Sequence, residues 1–128
     1  MTTAIEVINR AMRKIGILGA GNTSSAGDTT KGLDNLNSML HGFELKGIKL
    51  NHVDLASADS LPYPANHIKP ITDCLVKELY REYQRPIGAM DAQAADDGMR
   101  ELQNYYIESQ DLKCDPMIAA YYSPNRTV

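Results

Sequence analysis

Tryptophan is missing from this chain and phenylalanine occurs once, as Phe43, so leucine, isoleucine, methionine and tyrosine must fill the core. Cysteine is scarce as well. Cys74 and Cys114 stand far apart, with no CxxC pair and no Cys/His cluster, which argues against structural zinc and predicts two free thiols in a reducing compartment. No apolar run approaches the roughly 18 residues of a membrane span. The opening Thr2-Thr3-Ala4 leads straight into a helical pattern without the apolar stretch of a secretory signal, so synthesis in the cytoplasm is expected. Excess positive charge is also lacking. A net charge of −3 excludes a strongly basic nucleic-acid module, though not the wall of a channel in which DNA slides rather than sticks.

The 128 residues fit one domain of modest core, and their pattern is helical. Ile5, Ile8, Met12 and Ile15 form one stripe over residues 3–15. Thr3 and Glu6 are placed as a capping box, and Gly16 as the C-cap. A loop with three glycines follows over 17–27, and Asp28 is positioned to cap a second helix carrying Leu33, Leu36, Leu40 and Phe43 to about residue 46, where Gly47 ends it. Residues 48–55 alternate weakly around Asn51-His52, which predicts either a short β-hairpin or an extended segment. A third helix is expected over 66–84 with Ile68, Ile71, Leu75, Leu79 and Tyr83 inward. Pro70 belongs in a first turn, which draws that start toward 67–69. A fourth helix over 91–109 buries Ala95, Met99, Leu102 and Tyr106. The expected fold is an all-α four-helix bundle over 1–110 with an extended C-terminal arm over 111–128.

Several residues are candidates for chemistry. The glycines at 16, 19 and 21 follow a helix rather than a strand and lack a GK[ST] ending, so a flexible turn is the simpler reading than a phosphate loop. His41 and Glu44 offer two ligands one turn apart without a third. Glu78 and Glu82 are spaced to share a helix face, as a small cell-wall hydrolase would need. Lys77, Arg81 and Arg85 around them suit ordinary ion pairing better. Cys74 lies mid-helix with nothing nearby to activate it. Arg10, Arg13 and Lys14 make a one-turn basic patch for DNA phosphates or an acidic protein rim, and a small helical nucleic-acid-binding regulator is an alternative use of it. In the arm, Met117, Ile118, Tyr121, Tyr122 and Pro124 put aromatic and apolar surface outside any helical period, which favours contact with another subunit.

Arg13-Lys14-Ile15-Gly16-Ile17-Leu18 with Leu36-Asn37-Ser38-Met39-Leu40, supported by Leu61-Pro62-Tyr63-Pro64 and then Leu75, Leu79 and Tyr83, resembles the head–tail adaptors of short-tailed bacteriophages, also called tail accessory factors or packaged-DNA stabilisation proteins. Such adaptors typically carry a tryptophan near the end of the second helix, where this chain has Phe43. The resemblance implies a non-enzymatic virion protein without a cofactor or catalytic residue, located at the head–tail junction. It implies a subunit that is a monomer when free and joins a ring of about twelve copies on the portal protein. That ring would extend the DNA channel, retain packaged DNA and present a lower face to a tail hub or nozzle protein, with the arm against the portal and no membrane partner.

Overall fold

A computed structural model describes residues 2–19 and 21–111, with side chains through Ile107. The arm residues Met117, Ile118, Tyr121, Tyr122 and Pro124 lie outside the described residues, as does Cys114.

Among the described residues four α-helices make up the fold: α1 (Ala4–Lys14), α2 (Ala26–Gly42), α3 (Ala65–Glu82) and α4 (Ala89–Asp111). The expected all-α bundle is what forms. The helix α3 is central, lying against α4 most extensively and against α1 and α2 on its other sides. Ile8, Met12, Leu36, Leu40, Phe43, Ile71, Leu75 and Leu79 are fully buried in one core. Among the described residues no helix is long and apolar enough to cross a membrane.

The ends of α1 fall where its sequence signals put them, although only the Thr3 half of the expected capping box forms: among the described residues no bond runs from the Thr3 amide to the Glu6 carboxylate. The Thr3 hydroxyl accepts from the Glu6 amide at 3.4 Å. The Ala4 and Ile5 amides, which have no helical acceptor, donate to the carbonyls of Asp59 and Ser57 at 2.8 and 3.0 Å. At the other end Gly16 takes φ +82°, and the amides of Gly16 and Ile17 donate to the carbonyls of Arg13 and Met12. That pair of bonds is a Schellman closure, and it turns Ile17 back onto the core.

Three boundary expectations are corrected. Ser25, not Asp28, caps α2: its Oγ accepts from the Asp28 amide at 3.2 Å. Asp28 instead takes the Tyr83 hydroxyl at 2.7 Å, tying α2 to the end of α3. Second, α3 begins at Ala65, so Pro70 sits in its second turn rather than its first. At Pro70 α4 crosses closely through Gly98: a Cβ built on Gly98 would stand 3.1 Å from both the Cα and the carbonyl oxygen of Pro70. Third, α2 ends at Gly42, and the remaining turn to Lys46 is 3₁₀ before Gly47 reverses the chain at φ +84°.

Residues 48–55 take the extended alternative; no strand forms among the described residues, and an isolated bridge joins Thr3 to Ser60. Asn51 at φ +54° breaks any ladder there. A side chain supplies the missing partner: the Asn37 amide donates to the Leu55 carbonyl at 3.1 Å and accepts from the Leu55 amide at 3.0 Å. One residue of α2 thus imitates a neighbouring strand.

His67 is fully buried between α3 and α4. Its Nδ1 lies 2.7 Å from Asn66 Oδ1 and its Nε2 lies 3.0 Å from the Tyr106 hydroxyl. Burial lowers its pKa from 6.5. The unfolded chain therefore binds a proton that the folded chain refuses. Stability is full above about pH 6.5 and falls as pH drops toward the folded pKa. Urea midpoints measured from pH 7.5 to 5.5 should fall with acid, and His67→Gln should flatten the slope. An unchanged slope in that variant would refute this assignment.

Candidate functional site

The basic patch on α1 becomes one wall of a groove. Arg10, Arg13 and Lys14 face Lys69 of α3 across a hollow of about 680 Å³, whose apolar floor is Leu61, Tyr63, Ala65 and Ile68. The end of the 48–64 segment is fastened beside α1 by the Leu61 amide, which donates to the Thr2 carbonyl at 2.9 Å, and this sets Leu61 and Tyr63 between the two helices.

Asp73 organises the rim. Its side chain is almost wholly buried, and its two oxygens meet Lys14 Nζ at 3.0 Å and Lys69 Nζ at 3.1 Å. Both lysines are substantially exposed, so the pair positions two ammonium groups on the groove edge more than it stabilises the fold. The hydrogen bond to Asp73, and then its charge, raise the Lys69 pKa from 10.5. Arg13 donates to the Asn22 carbonyl at 2.9 Å, which fixes the glycine-rich loop against the rim. Among the described residues neither Arg10 nor Arg13 meets a carboxylate. An acidic chain therefore concentrates four cations and one carboxylate around an apolar trough. Sequence reasoning found the α1 half; Lys69 and Asp73 carried an i,i+4 ion-pair signal, but nothing in the spacing joins Asp73 to Lys14.

The other candidates separate. Glu78 borders a hollow of about 190 Å³ with Lys46 and Lys77, while Glu82 borders a different one of about 250 Å³ with Lys31 and Asp34. Glu78 also pairs with Arg81 at 3.8 Å. The two carboxylates share a helix but not a site. Cys74 is buried, its thiol pushed up to about 12 chiefly by that burial, and its Sγ donates to the Ala95 carbonyl at 3.6 Å. It is a packed, protonated thiol.

His41 does not find Glu44. It pairs with Asp54 at 2.7 Å, and His52 joins them, with one ligand atom from each residue within 4.8 Å of the others. Both ring nitrogens of His52 are already committed. Asn37 Oδ1 is an acceptor, fixed by the Leu55 amide, so His52 Nε2 at 2.8 Å must carry the proton. Its Nδ1 then accepts from the Tyr63 hydroxyl. Burial, with the nearby His41 charge, lowers the His52 pKa, and burial pushes Tyr63 up to about 12. Asn37, His52 and Tyr63 thus form an uncharged network that carries Tyr63 to the groove floor, and His52 keeps no lone pair for a metal.

Comparison with protein-family models, curated proteins and solved structures finds no match to this chain.

Proposed function

We propose that this protein is a head–tail adaptor subunit: a structural component that docks on a portal ring, extends the DNA channel and holds packaged DNA in place. The observation that carries the reading is the groove of Arg10, Arg13, Lys14 and Lys69 over Leu61, Tyr63 and Ile68 on an otherwise acidic bundle. An apolar trough with a basic rim suits an acidic protein segment, whereas a phosphate backbone would need no apolar floor. The overall negative charge suits a channel wall that does not trap DNA. The arm over 111–128, with Met117, Ile118, Tyr121, Tyr122 and Pro124, supplies apolar and aromatic surface for contact with the portal. In this reading the subunit is a monomer when free, forms a ring of about twelve copies on the portal, and offers its lower face to a tail hub or nozzle protein. Its place is the virion head–tail junction after synthesis in the host cytoplasm. It works without a cofactor and catalyses no reaction.

DNA retention tests the function directly. Packaged heads carrying the portal but lacking this protein should lose their DNA to added nuclease. Purified chain should restore protection, and Arg10→Glu with Arg13→Glu should restore much less. Equal digestion with and without the wild-type chain would refute the proposal.

A further inference from the structure

The charge of this chain is divided between its helices. Six acidic residues and a single basic one, Arg100, lie on α4, while four of the thirteen lysines and arginines line the α1–α3 groove. Along α4, Met90, Ala94, Asp97, Glu101 and Tyr105 recur at spacings of four, three, four and four, which places them on one face. That face is not in the core. Met90 is 87% exposed, Tyr105 is 46% exposed, and Glu101 is exposed. It is a ridge of apolar side chains punctuated by carboxylates. The groove has the converse make-up: apolar floor, guanidinium and ammonium rim. Among the described residues its two arginines have no carboxylate within 4 Å, while on the ridge Glu101 is exposed at the edge of α3 and Asp97 is half-buried, held within α4 by Gln93 at 2.9 Å and Arg100 at 3.6 Å.

We infer that the occupant of the groove is the α4 ridge of a second copy of this chain, with Asp97 and Glu101 of one copy meeting Arg10 and Arg13 of the next. Charge complementarity and the matching of apolar floor to apolar ridge favour this over another protein segment. The contact joins two unlike patches, so it repeats from copy to copy and closes when the rotation permits. The inference rests on the ring reading for its biological setting, and the contact is tested without a portal. A single such contact in free solution is weak. Subunits held side by side on a template gain effective concentration, which turns the same contact into a ring bond.

The experiment is sedimentation equilibrium of the full chain, at low and at high salt, with charge exchange. The wild type should associate as concentration rises at low salt and dissociate at high salt. Arg10→Glu with Arg13→Glu, and separately Asp97→Arg with Glu101→Arg, should each weaken association by about 10-fold or more. Mixing the two variants should restore it, because acid and base are then exchanged across one contact. Arg10→Glu alone, at an exposed residue without an ion-pair partner among the described residues, guards against a folding artefact at Arg13. Wild type that stays monomeric at every concentration and salt, reversals without effect, or a mixture that fails to recover would each overturn the inference. A closed two-fold dimer with charge-swap recovery would uphold the contact and contradict the ring reading. Loss of portal binding with the contact intact would contradict the adaptor reading alone.

Discussion

Leu75→Ala should cost about 2–5 kcal/mol of folding stability, a large share of what a domain of this size possesses. Leu75 is fully buried on α3, the helix that touches α1, α2 and α4, so the cavity opens where the layers meet. Neighbours held by four helices collapse into such a void only in part. The melting temperature should fall by on the order of 10 °C or more. Leu45 makes the matched comparison. It is 93% exposed in the 3₁₀ turn, and Leu45→Ala should change stability by no more than about 0.5 kcal/mol. Thermal denaturation of the two variants decides the matter. Equal losses would contradict the placement of the core at α3.

Gly98→Leu should destabilise by about 1–3 kcal/mol or more, although leucine is the better helix former by nearly 1 kcal/mol. Its first side-chain carbon would press on the Pro70 backbone at 3.1 Å, and a backbone inside a packed helix cannot rotate aside as a side chain would. Gly42 supplies a change of opposite sign. Nothing lies within 4 Å of a Cβ there, and its φ of −66° suits any residue. Gly42→Ala should therefore raise stability by up to about 1 kcal/mol. Urea unfolding of both variants reads the contrast. If Gly98→Leu matched or exceeded the wild type, the close α3–α4 crossing would be wrong.

These two sites show what the sequence could and could not convey. Leu75 was legible because the spacing Ile68, Ile71, Leu75, Leu79 repeats at the helical period, and periodicity reports burial directly. Gly16 was legible because a glycine after the last apolar residue of a stripe has one common use. Gly98 carried no such signal. Its reason is Pro70, on another helix, and local propensity alone would have counted both residues against the helices that contain them.

The candidate site divides in the same way. Arg10, Arg13 and Lys14 lie within one turn and were visible as a patch. The opposite wall at Lys69, and the floor at Leu61, Tyr63, Ala65 and Ile68, appear only once the 48–64 segment is laid between α1 and α3. What places that segment is Asn37, whose side chain holds Leu55 and His52 from α2. Contacts of that kind leave no period in the sequence. For the same reason His41, read beside Glu44, and His52, read only as part of the 48–55 segment, meet in one network with Asp54 and Tyr63. Conversely, the Glu78–Glu82 spacing suggested a shared face, and α3 directs the two carboxylates into separate hollows.

The adaptor reading stands or falls most directly on the mass of the complex formed when purified chain is mixed with its cognate portal ring. Native mass spectrometry of the mixture should show the portal bearing about one copy per portal subunit, with free chain remaining as monomer or weak oligomer. Arg10→Glu with Arg13→Glu should lower that occupancy, and removal of residues 112–128 should lower it further. A portal ring that keeps its own mass at every concentration of the wild-type chain would contradict the account.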